Sequence, residues 1–454
     1  AIAGRRLPLV MVIATTFATW FGAETVMGIP AKFVQGGLNA IVEDPFGAGM
    51  CLVLVGLFFA TKLYRLNLLT IGDYYRRRYG RGIEVFCSSV IILSYLGWVA
   101  AQITALGLVF GVLTNGEMSE TTGMVVGTLA VLVYVVVGGF LAVAWTDFIQ
   151  MIVLVVGLSV IAVFSADLAG GADVVFAKIA SKDLWRFLPE PSFKDVAFFI
   201  AAALTMMLGS IPQQDVYQRV MSAKDAKTAR NGAVIGGISY ILFAFVPMFI
   251  VASAVVVMGD QALAIARDDY QRLLPTFVMG KMPLVMQILF FGALLSAIKS
   301  TSSATLLAPS TSFVENILKN LRPQMSDRQQ LLAMRLSIIG FAAVVLAYAI
   351  AMKGTPIYDL VSSAYQVTLV GAFVPLVMGL YWKPSTTQGA IGSVAAGIAV
   401  WALFLPQVSP LGAAFPGQLA GLVAAFVGMV AGSLAPQWLK NRHDADHLVR
   451  GLNR

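Results

Sequence analysis

Apolar runs long enough to cross a bilayer recur along the whole chain, at about 8–30, 46–63, 83–113, 122–140, 142–166, 195–217, 233–258, 283–312, 331–352, 358–382, 388–405 and 412–436. One span needs roughly 20 apolar residues. Backbone inside lipid must satisfy its own hydrogen bonds, so such runs fold as helices. The chain therefore reads as an all-α polytopic membrane protein of about twelve spans. Composition agrees: of 454 residues 58% are hydrophobic and only 12% charged, against about 25% charged in a soluble domain. The runs at 83–113 and 283–320 exceed one bilayer thickness and are expected to tilt or to continue into water.

The formal net charge of +8 is concentrated in particular links. Residues 62–82 carry Lys62, Arg65, Arg76, Arg77, Arg78 and Arg81, residues 218–231 are again basic, and 319–330 hold Lys319, Arg322 and Arg328. The tail after 436 is basic too, whereas NGEMSE at 115–120 has no basic residue and 353–359 has one. The positive-inside rule places the basic links, the visible N-terminus and the tail in the cytoplasm. Such a pattern encodes orientation in a bacterial inner membrane, so the lipid bilayer is the expected partner and nucleic acid is not. Cys51 and Cys87 read as small buried hydrophobes. No His/Cys/Glu cluster has metal-ligand spacing, and no catalytic constellation suggests an enzyme. A signal-peptide pattern is absent as well.

Polar and helix-breaking residues inside the spans carry the remaining information. ATWFGAETVMGIPAK at 18–32 is interrupted by Gly22, Gly28 and Pro30 and contains Glu24, a carboxylate that is costly in a span. LGSIPQQDVYQR at 208–219 is interrupted by Gly209 and Pro212, near what reads as the cytoplasmic end. Paired interruptions in corresponding spans point to a central site. A plain packing helix ending near Pro30 is the alternative for the first. Asp215 and Arg219, four apart on one face, could simply pair with each other. GGFLAVAWTDFIQ at 138–150 joins two spans by a short turn, with Asp147 just inside the cytoplasmic face or serving the helix dipole. SAIKSTSSATLLAPS at 296–310 places Lys299 and a column of hydroxyls in an apolar run; back-bonding and packing are their ordinary uses.

About five spans lie between 8 and 166 and about five between 195 and 382. Two halves with an odd number of spans have opposite orientation, which permits an inverted repeat. The expected organisation is a ten-helix core over 1–382 (8–166 and 195–382), two additional helices over 383–436, and a cytoplasmic tail over 437–454.

Taken together, these segments resemble the sodium:solute symporter family, which includes sodium/proline and sodium/sugar symporters. The resemblance rests on GGFLAVAWTDFIQ, on IPQQDVYQRVMSAKDAKTAR and on AFVPLVMGLYWKPSTTQGAIGSVAAG at 372–397. GRRLPL at 4–9 resembles the loop after that family's usual extra N-terminal helix, so this helix is expected to be absent. The resemblance implies a LeuT-type fold of two inverted five-helix repeats with two extra C-terminal helices, acting as a secondary symporter by alternating access. It implies one sodium ion, held by the carbonyls of Ala18, Phe21 and Ala297 and the hydroxyls of Ser300 and Thr301. Glu24 and Thr25 match positions that face substrate in sugar-type relatives, and Asp147 matches a family acid near the sodium exit path.

Trp20, Gln102 and Tyr365 are further candidates to line the cavity. Ser303 is followed by Ala304 where some relatives carry a second hydroxyl, so a second sodium site is incomplete. Lys299 departs from the family's apolar residue. It is expected to reach toward Asp147 as a tethered cation, to titrate and couple protons, to contact a substrate carboxylate, or to snorkel. The solute is expected to be small and polar, an amino acid, carboxylate or similar. The alternatives are a proton-coupled or sodium-independent transporter in which Lys299 replaces a cation, and a transport-like sensor domain of a signalling protein. Oligomeric state has no signature in the sequence.

Overall fold

The computed structural model describes residues 3–405 and 408–439, with backbone alone for 137–142; most of the expected tail lies outside the described residues. Helices Leu9–Trp20 (α1) and Glu24–Gly36 (α2) form one span bent by 60°. Leu38–Arg65 (α3), the short Ile71–Tyr79 (α4) and Arg81–Leu113 (α5) follow. Next come Glu120–Val136 (α6) and Val143–Leu168 (α7), then Phe193–Gly209 (α8) and Gln214–Met221 (α9), a second span bent by 48°. Ala226–Met258 (α10), Leu284–Leu321 (α11), Asp327–Ala351 (α12), Ile357–Tyr381 (α13), Thr387–Leu403 (α14) and Gly417–Leu434 (α15) complete the order. With each bent pair counted once, the described residues form ten long spans and two shorter apolar helices, α6 and α14, one for every expected run.

Backbone from Glu120 to Leu168 is helical throughout. The Tyr134 hydroxyl nevertheless hydrogen-bonds the Thr146 hydroxyl. Along a straight helix their Cα atoms would stand about 18 Å apart, beyond the reach of the two side chains. The chain therefore turns back between them, as the short link at 138–150 predicts.

The last two helices pack through glycine. A Cβ at Gly392 would lie 2.7 Å from the Gly428 carbonyl, and one at Gly428 would lie 2.3 Å from the Gly392 carbonyl. Lipid provides no hydrophobic drive between helices, so close backbone approach at small residues replaces it.

The basic link 62–82 turns out to be more than an orientation signal. Thr70 and Asp73 form a capping box that starts α4. Three of its tyrosines and an arginine then dock on α13. Tyr75 donates to the Ala372 carbonyl at 2.9 Å, Tyr79 to that of Pro375 at 2.8 Å, and Arg78 Nε to that of Gly379 at 3.2 Å. The wide turn at 369–373 and Pro375 disturb the α13 ladder there, and α4 supplies donors where it is weakest. Arg78 is only 6% exposed.

Candidate functional site: a carboxylate and aromatic core between two broken helices

The first break opens after Trp20. Phe21 adopts φ −89° and ψ 70°, outside the helical region. Among the described residues the Ala18 and Phe21 carbonyls accept no backbone hydrogen bond, while the Ala23 N–H donates to Gln102 Oε1 at 3.0 Å. Helix ends leave such groups for other partners. Thr25 Oγ1 returns to the Trp20 carbonyl at 3.2 Å and meets the Tyr240 hydroxyl at 2.9 Å.

Gly22 sits where three oxygens converge. A Cβ built on it would fall 2.6 Å from Glu24 Oε2, 2.7 Å from Thr301 Oγ1 and 2.9 Å from Gln102 Oε1. Only a residue without a side chain fits there. The same geometry places α11 directly against the break. The Thr301 hydroxyl is buried with no hydrogen-bond partner among the described residues, which is costly unless a ligand meets it. One residue earlier, Ser300 Oγ donates to Asp147 Oδ1 at 2.6 Å, and Thr15 Oγ1 donates to Asp147 Oδ2 at 2.8 Å. Asp147 thus ties α1, α7 and α11 together just below the break. Ala297, one turn before Thr301, and Ala18 are buried as well.

The second break lies level with the first, deeper than the sequence suggests. Trp20 Nε1 donates to Asp215 Oδ2 at 3.2 Å, and the Tyr95 hydroxyl donates to Asp215 Oδ1 at 2.5 Å. Arg219, one turn on, donates from Nη1 to the Asp215 backbone carbonyl at 3.0 Å and from Nε to Thr19 Oγ1 at 2.5 Å. Glu24 is held the same way as Asp215, by Trp98 Nε1 at 2.8 Å and Gln102 Nε2 at 2.6 Å. Both carboxylates are buried.

Aromatic rings wall this core. Trp20 meets Trp98 edge-on at 5.8 Å and Tyr240 at 6.4 Å, Tyr95 stacks on Trp98 at 6.2 Å, and Tyr365 lies 5.7 Å from Trp98. The Tyr365 hydroxyl has no partner among the described residues. On the α2 side, Tyr240 donates to Asp44 Oδ1 at 2.6 Å. Lys32 Nζ lies 3.1 Å from Asp359 Oδ1 and 5.2 Å from the Tyr358 ring.

Most predicted site residues therefore meet: Trp20, Glu24, Thr25, Gln102 and Tyr365 in the core, and Ala18, Phe21, Ala297, Ser300, Thr301 and Asp147 around the break. Lys299 and Ser303 use other direct partners. Lys299 lies near enough to Asp147 for the two charges to interact but makes no direct ion pair with it; its ammonium sits 3.8 Å from the centre of the Tyr134 ring, and the carboxylate is held by Thr15 and Ser300. Ser303 spends its hydroxyl on the Lys299 carbonyl at 2.7 Å, the local back-bond open to any helical serine.

Sequence reasoning missed Tyr95, Trp98, Tyr240 and Asp44, and it weighed Asp215 only as a partner for Arg219. A signal existed for two of them: Tyr95, Trp98 and Gln102 follow i, i+3, i+7 spacing and share one face of α5.

The stacking of Lys299 has a measurable consequence. A cation on an aromatic face contributes about 0.5–1 kcal/mol at a partly exposed site, so Lys299→Met is expected to change uptake by no more than about fivefold. Uptake into proteoliposomes should remain driven by a sodium gradient and indifferent to a pH gradient. Proton-driven uptake in the wild type that vanishes in the variant would overturn this.

Two interrupted helices, crossed at their breaks over a buried polar core and surrounded by spans, define a membrane transporter rather than an enzyme. Residues 1–397 match the sodium:solute symporter family, and the chain belongs to it. Similar proteins include a high-affinity choline transporter of Caenorhabditis elegans, 27% identical over 87% of this chain and 69% of its own length. A high-affinity proline transporter of Bacillus subtilis is 27% identical over 88% and 86%. Among solved structures, a Na+-coupled sialic acid symporter in an outward-open state matches with a TM-score of 0.79 and 20% identity, over 96% of this chain and 92% of that one. The fold is the LeuT-type bundle, and the protein is a multi-pass secondary symporter of a small solute that uses sodium.

Proposed function

We propose that this symporter imports a small organic cation, a quaternary ammonium or amine of choline's size, together with one sodium ion. The observation that carries the solute reading is the core itself: Glu24 and Asp215, buried and braced by indole and phenol donors, inside a wall of Trp20, Tyr95, Trp98, Tyr240 and Tyr365. Aromatic faces attract cations, and quaternary ammonium groups are recognised by aromatic cages. A buried cation also needs a counter-charge. Arg219 stands beside Asp215, but an anionic solute would still need a cation to offset Glu24, and Lys299 is turned to Tyr134 instead. Choline transporters among the relatives support the same class.

Sodium fits the gap between α1 and α11. The break frees the carbonyls of Ala18 and Phe21, the Thr301 hydroxyl stands against Gly22 beside them, and Ala297 and Ser300 lie within one turn of Thr301 on α11. All five supply neutral oxygens, suited to a hard monovalent cation that must also leave. Asp147 beneath them, already holding Ser300, orients that hydroxyl's lone pairs and adds negative charge on the side from which the ion departs. Binding of the ion draws α1 against α11 and favours the state in which the core accepts solute. The basic links lie on the cytoplasmic side, which makes the α2 and Lys32 end of the core the outer entrance.

The discriminating experiment is uptake of radiolabelled choline, proline and glucose into proteoliposomes under a sodium gradient. Choline or a related amine should be taken up and the neutral sugar should not; uptake of glucose or proline with no response to any organic cation overturns the reading. For the ion, Thr301→Val removes one oxygen at constant shape. Loss of a charge-assisted contact of about 1.5–3 kcal/mol predicts a roughly tenfold to hundredfold rise in the sodium concentration for half-maximal uptake. Solute affinity at saturating sodium should stay within about threefold. An unchanged sodium curve places the ion elsewhere.

A further inference from the structure

On the membrane-facing side of α11 and α12, two cavities join. One, of about 360 Å³, is walled by Ile92 and Leu96 of α5, Pro309 of α11, and Gly340 and Val344 of α12. The other, of about 770 Å³, shares Phe313 and Ser337 with it and runs on to Arg322, Pro323 and Gln324 in the basic link. Along α12 the lining residues Leu332, Leu336, Ser337, Gly340, Phe341 and Val344 fall on one helical stripe. Leu332, Leu336 and Val344 are exposed, so the groove opens to the bilayer, where only hydrocarbon can fill its apolar part.

At its basic end, neighbouring cations are already engaged. Lys319 bonds Glu315 at 2.5 Å and Arg81 bonds the Asn320 carbonyl. Arg322 lines the mouth, is exposed, and has no hydrogen-bond or ion-pair partner for its guanidinium among the described residues. A guanidinium unpartnered among the described residues, at the end of an apolar slot, matches an anionic headgroup joined to an acyl chain, since arginine holds phosphate oxygens well.

We propose that this groove is a binding site for an anionic phospholipid, with one acyl chain between α5, α11 and α12 and the phosphate on Arg322. The site rests on no assumption about the transported solute. It lies on α11, the helix that also presents Ser300 and Thr301, and so places a lipid against one of the two walls of the ion gap.

Native mass spectrometry of the full chain, with equal phosphatidylglycerol and phosphatidylcholine added, tests it. One basic residue facing anionic lipid is worth about fivefold in preference. The wild type should retain one phosphatidylglycerol about fivefold more than phosphatidylcholine. Arg322→Ala should equalise the two lipids, and Arg322→Lys should keep the preference. A Cβ at Gly340 meets nothing within 4 Å, so Gly340→Phe can enter the groove without disturbing the packing and should remove the adduct of either lipid. Equal retention by the wild type, an unchanged preference in Arg322→Ala, or an undiminished adduct in Gly340→Phe each overturns the proposal.

Discussion

Glu24→Gln is expected to weaken binding of an organic cation by at least about a hundredfold while leaving sodium binding near the wild-type value. The side chain is buried, and both its oxygens accept from the fixed donors Trp98 Nε1 and Gln102 Nε2. An amide of the same shape must turn its NH2 toward one of those donors, so a hydrogen bond becomes a clash. The counter-charge is lost as well. Removing one partner of a buried ion pair costs about 3–5 kcal/mol, or roughly two to four powers of ten in affinity. Isothermal titration of the purified protein with choline and, in parallel, with sodium checks both halves. Choline binding within threefold of the wild type would remove Glu24 from the solute site. Sodium binding lost to the same extent would mean that the variant damages the break rather than the cage.

Gly22→Ala is the complementary case, and here both ligands should fail together. Its methyl group would occupy the point where Glu24, Thr301 and Gln102 oxygens already stand within 3 Å. The first of these belongs to the solute core, the second to the proposed ion gap, and the third ties the core to the Ala23 N–H. Relief requires α1 and α11 to part or the Glu24 carboxylate to leave its two donors. We expect sodium and choline half-saturation each to rise by more than about tenfold, since overpacking costs about 1–3 kcal/mol. Sodium-dependent thermal stabilisation should be lost, and the sodium-free melting temperature should fall, because the clash is present without the ion. A Gly22→Ala protein with the wild-type sodium response would show that the convergence at Gly22 is not the ion gap. The contrast with Thr301→Val, which should affect sodium alone, separates collapse of the whole junction from loss of one oxygen.

Several local features were legible because they depend on little beyond a residue and its near neighbours. Each apolar run matched a span, since length and lack of charge decide insertion. Gly22 and Pro212 marked breaks for the same reason: missing side chains and missing donors weaken a helix wherever it sits. Depth was less legible. The second break read as cytoplasmic, yet the Trp20 to Asp215 bond sets it level with the first. Counting residues misjudged the level because α8 begins at Phe193, 79% exposed, and residue counts carry no information about where along a tilted helix the bilayer lies.

Partner choice separates the two kinds of knowledge most clearly. By itself the sequence determined that Glu24, Asp147, Asp215 and Lys299 lie within spans, and hence that each needs a partner. Tertiary structure alone decided which: Trp98 and Gln102 for Glu24, Trp20 and Tyr95 for Asp215, Thr15 and Ser300 for Asp147, and the Tyr134 ring for Lys299. It likewise turned a basic link into the docked helix α4. The physical reason is that a buried polar group must be satisfied, but the donor that satisfies it comes from whichever distant segment packing brings within about 3 Å, and no spacing along one strand of sequence encodes that distance.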